Sequence, residues 1–206
     1  MNDTKEKILD TAERLIGEHG YAATSLRHII AVAGVNLAAV HYHFGSKEEL
    51  LDALVERKVT PVNEARLAWL GRVEADAGSG QMVVERVLEA FLLPTAEVAS
   101  RNPGFVRLMG QILAEGMMPR IVEKHFQATG LRFVAALRRA VPGLPQEELM
   151  WRVHFMVGAM AHTMCRVPIF LQTTGQAADM GPRMERLVTF LGAGFRAPAT
   201  AGKEKK

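Results

Sequence analysis

Residues 24–50 read TSLRHIIAVAGVNLAAVHYHFGSKEEL, and this stretch decides the fold. Thr24 or Ser25 opens a helix that runs through Ile29, Ile30 and Val32 to a break at Gly34, since a hydroxyl at the N-cap accepts an otherwise orphaned N–H and glycine relieves the turn. Asn36 is a second cap, and the helix it starts lasts about two turns before Gly45. Ser46-Lys47-Glu48-Glu49 is a capping box that begins another helix at once. The spacing sends Leu26, Ile29, Ile30, Ala33, Val35, Leu37, Val40 and Phe44 inward and leaves Asn36, Ala38, Ala39, His41, Tyr42 and His43 outward. Two short helices around a glycine turn, the second presenting its N-terminal residues, form a helix-turn-helix, the geometry that lays a recognition helix in a DNA major groove.

The periodicity outside this stretch is helical as well, and no bounded apolar alternation suggests a sheet. The expected fold is therefore all-α. A first helix starts after Asp3, capped by it with Glu6 reaching back, buries Ile8, Ala12, Leu15 and Ile16, and stops at Gly20, with Tyr21 packing back onto its face. A fourth helix runs from Lys47 to about Ala75 with Pro61 inside it, where the missing N–H predicts a bend near Val59. After Ala77-Gly78-Ser79-Gly80, helical patterns cover about 81–99, 103–116, 119–140, 146–172 and 182–196, separated by Asn102-Pro103-Gly104, Pro119, Pro142-Gly143-Leu144-Pro145 and Thr173-Thr174-Gly175. This predicts about nine helices: a three-helix DNA-binding head over 1–46, a larger bundle for ligand and dimerisation over 47–197, and a disordered tail over 198–206.

A chain of 206 residues is long enough to bury roughly 70% of the surface it exposes when unfolded. No run of about 18 apolar residues occurs, and MNDTKEKILDTAERL is charged where a signal peptide needs an apolar block. A cytoplasmic protein that neither spans nor binds a membrane is the expectation. Cys165 is the single cysteine, which excludes an intrachain disulfide. Net charge is +3, yet residues 1–100 hold 10 Lys and Arg against 15 Asp and Glu, while residues 101–206 hold 15 against 7. Phosphate attraction supplies most non-specific DNA affinity, so an acidic head must rely on a few placed groups such as Lys5, Lys7, Arg27 and Lys47. The basic second half reads as solvated helix faces.

The stretch AATSLRHIIAVAGVNLAAVHYHFGSKEELLDALV resembles the N-terminal domain of the TetR family of transcriptional regulators, over roughly residues 4–58, about a quarter of the chain. The resemblance rests on Gly20-Tyr21-Ala22-Ala23-Thr24, Ala33-Gly34-Val35, His41-Tyr42-His43-Phe44 and Lys47-Glu48-Glu49-Leu50, with His41 replacing the tyrosine most common there. It implies phosphate contacts from Thr24, Ser25, Tyr42 and Lys47, in keeping with the anion affinity of helix N-termini. Asn36, Ala38 and Ala39 suit base edges, asparagine for adenine and alanine methyls for thymine methyls. His41 can donate to phosphate, and Arg27 is equally well a phosphate ligand or a solvated side chain. His41-Tyr42-His43 is no metal site, because residues two apart on a helix point about 200° apart and no carboxylate or thiol completes a ligand set. His43 is read as structural, beside Phe44. No cofactor is expected.

The resemblance further implies a palindromic operator and a homodimer formed by the last two long helices. Phe155, Met156, Gly158, Ala159, Ala161 and His162, with Leu187, Val188, Phe190, Leu191 and Phe195, offer more apolar surface than a terminal pair needs. Flexible thioethers, among them Met109, Met117, Met156 and Met160, suit an adaptable apolar pocket, although such residues equally fill a core. Similarity to regulators that respond to fatty acids points to a small hydrophobic effector, and an acidic one would meet Arg107, Arg152 or Arg166. Ligand-relieved repression is the functional expectation. Its alternatives are a helical interaction protein and, last, a small helical enzyme; no G-x-S-x-G, phosphate-cradling glycine loop or H-E-x-x-H occurs.

Overall fold

The computed structural model describes residues 2–165 and 180–199, the side chains of Asn2 and Cys165 excepted, and among these every regular element is helical. Arg166, the Thr173-Thr174-Gly175 break and residues 200–206 of the expected tail lie outside the described residues. The elements are α1 (Asn2–His19), α2 (Leu26–Ala33), α3 (Leu37–Phe44), α4 (Lys47–Ala77), α5 (Val84–Arg101), α6 (Pro103–Ala114), α7 (Met118–Ile121), α8 (Gln127–Ala140), α9 (Gln146–Cys165) and α10 (Met180–Arg196). A π-helical turn, Val122–Phe126, joins α7 to α8 without a break, so the described residues make nine continuous helical stretches.

The chain divides into two compact units, residues 1–63 with 101–127, and residues 64–100 with 128 onward. The first half of α4 thus packs with the N-terminal helices, past the expected boundary at residue 46, and the division falls two residues beyond Pro61, which stands inside α4.

In the first unit α1 packs against α2, α3 and α6. Its stripe of Ile8, Leu9, Ala12, Leu15 and Ile16 is buried, together with Ile29 and Ala33 of α2, Val40 and Phe44 of α3, and Leu108 and Ile112 of α6. From α4, Leu50, Leu51, Leu54 and Val55 complete the core, the broad apolar face of a helix covered on more than one side. Asp3 lies in the first turn of α1, which begins at Asn2, rather than at its cap; there its charge suits the positive end of the helix. Glu6 turns to Arg57 at 2.7 Å, and Arg57 and Lys58 of α4 also meet Asp10 and Glu13 of α1. Burial opposes the charge on Arg57, but its hydrogen bonds to Glu6 and Asp10 outweigh that and raise its pKa.

In the second unit Leu70 and Val73 of α4, Val87, Leu88 and Leu92 of α5, Phe133 and Leu137 of α8, and Met184 and Leu191 of α10 are buried. Phe91 and Phe133 meet edge to face at 5.0 Å, the arrangement favoured by ring quadrupoles. α9 packs along α10.

Candidate nucleic-acid interface

The helix-turn-helix is built by local capping. Ser25 Oγ accepts the His28 N–H at 3.1 Å and starts α2. Gly34 closes it at φ 62°, a left-handed conformation that L side chains avoid. Asn36 Oδ1 accepts the Ala39 N–H at 2.7 Å and starts α3. Val40 and Phe44 then anchor α3 in the core, while Ser25, Arg27, His28, Asn36, Leu37, Ala38, His41 and Tyr42 remain exposed. Tyr42 is 74% exposed. His41 donates from Nδ1 to the Gly45 carbonyl at 3.0 Å, so Nε2 is the ring atom left for another partner. His43 is half-buried with its ring 6.1 Å from Phe44.

Two residues stand otherwise than the sequence reading placed them, and two more hold partners it did not assign. Thr24 is fully buried, and its hydroxyl donates to the Gly20 carbonyl at 2.7 Å, so it ties the α1–α2 turn instead of reaching outward. Leu37, expected inside by its i, i+3, i+7 spacing with Val40 and Phe44, is 53% exposed, because the first turn of α3 carries it out beside the cap. Asn36 spends its carbonyl oxygen on the cap, and pairing with both adenine edge atoms requires that oxygen. Lys47 is half-buried; Nζ donates to the Tyr21 carbonyl at 2.6 Å and lies 4.0 Å from the centre of the Tyr21 ring. An ammonium has further N–H groups to give. Burial, and then Glu48, which accepts the phenol proton at 3.2 Å, push Tyr21 up to about 12, so it stays a neutral donor.

Thr24→Val is expected to cost about 1 kcal/mol, the worth of a buried hydrogen bond, read as a lower denaturant midpoint. Affinity for selected and random duplexes is expected to be unchanged once expressed per folded protein; a loss of about fivefold on both alike, the worth of one hydrogen bond, would restore Thr24 as a phosphate ligand.

The residues expected around an effector separate. Arg107 is exposed and Met109 and Met117 are half-buried in the first unit, whereas Arg152, Met156 and Met160 belong to the second. Arg152 is committed elsewhere: it is 8% exposed, pairs with Glu148 and donates to the carbonyls of Gly194, Phe195, Ala197 and Pro198. It therefore caps the C-terminal end of α10. An open cleft of about 800 Å³ in the second unit is lined by residues including Met82, Val84, Leu144 and Phe195, and none of Arg107, Met109, Met117, Arg152, Met156 or Met160 lines it.

The buried cation that sequence reading missed is Arg66, 1% exposed. Its Nε donates to the Phe91 carbonyl at 2.8 Å, Nη2 to Thr95 Oγ1 at 2.7 Å and to Met160 Sδ at 3.7 Å, and its guanidinium lies 4.0 Å from the centre of the Phe91 ring. Burial lowers its pKa to about 9, and it remains charged at neutral pH. The signal was legible, since Val62, Arg66, Leu70 and Val73 recur at helical spacing on α4. Among the described residues no cluster of three histidine, cysteine or carboxylate side chains forms a metal site, and no helix is long and apolar enough to cross a membrane.

A capped helix-turn-helix with an open second helix, followed by a second unit whose described elements are helical, is the architecture of a transcriptional regulator. The sequence matches the family described as "Bacterial regulatory proteins, tetR family" over residues 8–54 and the "Tetracyclin repressor-like, C-terminal domain" over residues 89–194. The chain belongs to the TetR family of transcriptional regulators. The transcriptional repressor Rv3405c of Mycobacterium tuberculosis is 30% identical over 150 residues, 68% of this chain and 77% of that protein. The regulator AcrR of Shigella flexneri is 32% identical over 74 residues, 36% of this chain and 34% of AcrR. The chain thus spans about a third or less of the length of several curated relatives it matches. These relatives are transcriptional regulators, not enzymes. A tetR-family regulatory protein from Rhodococcus RHA1 shares the fold, with a TM-score of 0.68 at 17% identity over 92% of this chain and 95% of that one. A regulator from Aquifex aeolicus gives 0.59 at 21% identity, over 92% and 98%.

Proposed function

We propose that this chain is a DNA-binding repressor which grips a palindromic operator as a homodimer and is released by a small hydrophobic effector. The observation that carries the reading is the exposed face of α3, where Leu37, Ala38, His41 and Tyr42 stand open between the Asn36 cap and Gly45. Ala38, Leu37 and half-buried Ala39 present methyl groups fit for thymine methyls. Ser25, Arg27, Tyr42 and Lys47 supply phosphate ligands, which fix register without reading sequence. Thr24 leaves that set.

The dimer reading keeps α9 and α10 but loses Met156, Leu187, Val188, Leu191 and Phe195, which are buried within the chain and so are not free to meet a partner. Met150, Trp151 and Phe155 of α9 and Phe190 of α10 are exposed at 45%, 53%, 60% and 72%, an aromatic-rich surface of the kind that subunit interfaces use. Two heads then read half-sites about 34–36 Å apart or a multiple of that. Effector binding would shift the separation of the heads and disfavour simultaneous contact with both half-sites. Buried Met156, and Met160 with its sulfur on Arg66, support a hydrophobic effector in the second unit. Fatty acids and acyl-CoAs are the compounds to screen, with thermal stabilisation as the readout; uniform absence of a shift would reject that class.

Selection of duplexes from a random pool, followed by mobility shift, tests the DNA reading. A shifted complex that weakens steeply with salt is expected. Tyr42→Phe is expected to weaken selected and random duplexes alike by about fivefold, the worth of one hydrogen bond. No shift at low salt by a folded dimer would instead favour a helical interaction protein.

A further inference from the structure

The α1–α2 turn, residues 20–25, carries the N-terminus of α2 and with it Ser25 and Arg27. Three of its bonds stay within the helix-turn-helix and the start of α4: Thr24 to the Gly20 carbonyl, Lys47 to the Tyr21 carbonyl, and the Tyr21 phenol to Glu48. One anchor comes from far away. Glu115, at the C-terminal cap of α6, accepts the Tyr21 N–H on Oε1 at 2.6 Å and the Ala22 N–H on Oε2 at 2.9 Å.

Three features single this fork out. A carboxylate at a helix C-terminus has the wrong sign for that helix's dipole, so α6 itself gains nothing from an acid there. Gly20 has φ +88°, and a Cβ on it would come within 2.6 Å of Glu115 Oε1, so the turn is shaped to admit the carboxylate. Glu115 is in turn held by the end of α6, where Gly116 at φ 70° turns the chain and the Met117 N–H reaches the Ile112 carbonyl at 3.0 Å.

We propose that Glu115 is a positioning residue for operator binding: its two-oxygen fork onto Tyr21 and Ala22 sets the α1–α2 turn, and thereby places the DNA-facing end of α2. The inference rests on the DNA-binding reading above. Charge-assisted bonds to backbone N–H groups are short and directional, so the fork defines where the turn sits as well as holding it. The end of α6 becomes the place from which the head's phosphate ligands are adjusted.

The test uses full-length wild type, Glu115→Gln, Glu115→Asp and Glu115→Ala, with a duplex selected by the wild-type protein as probe. Affinity is expressed per folded dimer, and amide hydrogen exchange is followed in parallel. Glutamine keeps one accepting oxygen and opposes the second N–H with its own amide; aspartate keeps the charge but retracts it by one methylene. Exchange at Tyr21 and Ala22 is expected to quicken at least tenfold in Glu115→Ala, with Leu9 and Ala12 of α1 unchanged. Operator affinity is expected to fall about tenfold in Glu115→Ala and by less in Glu115→Gln and Glu115→Asp. Wild-type affinity in Glu115→Ala overturns the proposal, and so does lost affinity with unaltered exchange at Tyr21 and Ala22. Failure of the wild-type chain to select any duplex would count against the DNA reading, while the exchange measurement still decides whether the fork holds the turn.

Discussion

Arg152→Met is expected to lower the free energy of unfolding by about 3 kcal/mol, the usual cost of removing one partner of a buried ion pair. Methionine keeps most of the aliphatic stem, so the loss isolates the guanidinium. That group gives Nε and Nη2 to Glu148 at 3.0 and 2.8 Å, and its remaining donors to the carbonyls of Gly194, Phe195, Ala197 and Pro198 at 2.8–2.9 Å. The last carbonyls of a helix have no partner of their own and form its negative end. One side chain of α9 therefore satisfies both a neighbouring carboxylate and the terminus of α10. Urea unfolding at fixed protein concentration should show a lower midpoint with an unchanged slope. Arg152→Lys should recover little, since an ammonium lacks the planar fork that reaches both sides. A wild-type midpoint in Arg152→Met would remove the capping role and reopen Arg152 as an effector ligand.

The second large effect is expected at the proposed subunit interface. Phe155→Asp should convert dimer to monomer at micromolar concentration, because an unpaired carboxylate sealed in an apolar interface costs several kcal/mol. Phe155 is 60% exposed and stacks 5.8 Å from Trp151, so its loss from the isolated chain leaves no core cavity and folding should survive. Light scattering reads the mass directly. Operator affinity should fall at least 100-fold, the advantage that two linked heads have over one. A variant that stays dimeric would move the interface off this face of α9.

How far each feature could be read ahead follows from the range of the interactions that make it. The caps at Ser25, Asn36 and Ser46 and the left-handed Gly34 depend on atoms three or four residues apart, and all stand in the structure as the order of residues implies. Thr24 and Leu37 escaped that reading. A hydroxyl preceding a helix is equally suited to capping outward or tying inward, and only the carbonyl of Gly20, placed by the turn, decides it. The apolar spacing of Leu37 with Val40 and Phe44 is satisfied along α3, yet burial requires a neighbour at that end of the helix, which spacing does not supply.

The effector residues show the same division. Met156 lies buried on α9, as its helical register suggests, but the choice among arginines depended on what stood opposite each one. Arg152 faces the end of α10, while Arg66 faces Thr95 and the Phe91 ring. The amino-acid sequence by itself determined an all-helical chain, the helix-turn-helix and its family, because periodicity, caps and glycine turns are local. Only the tertiary structure decided that Thr24 turns inward, that Leu37 stands exposed on α3, that Arg152 caps α10, and that Glu115 reaches across 94 residues to the α1–α2 turn. Arg152 and Glu115 meet groups distant in the chain, which packing alone brings together, while the inward turn of Thr24 and the exposure of Leu37 depend on what stands around each of them.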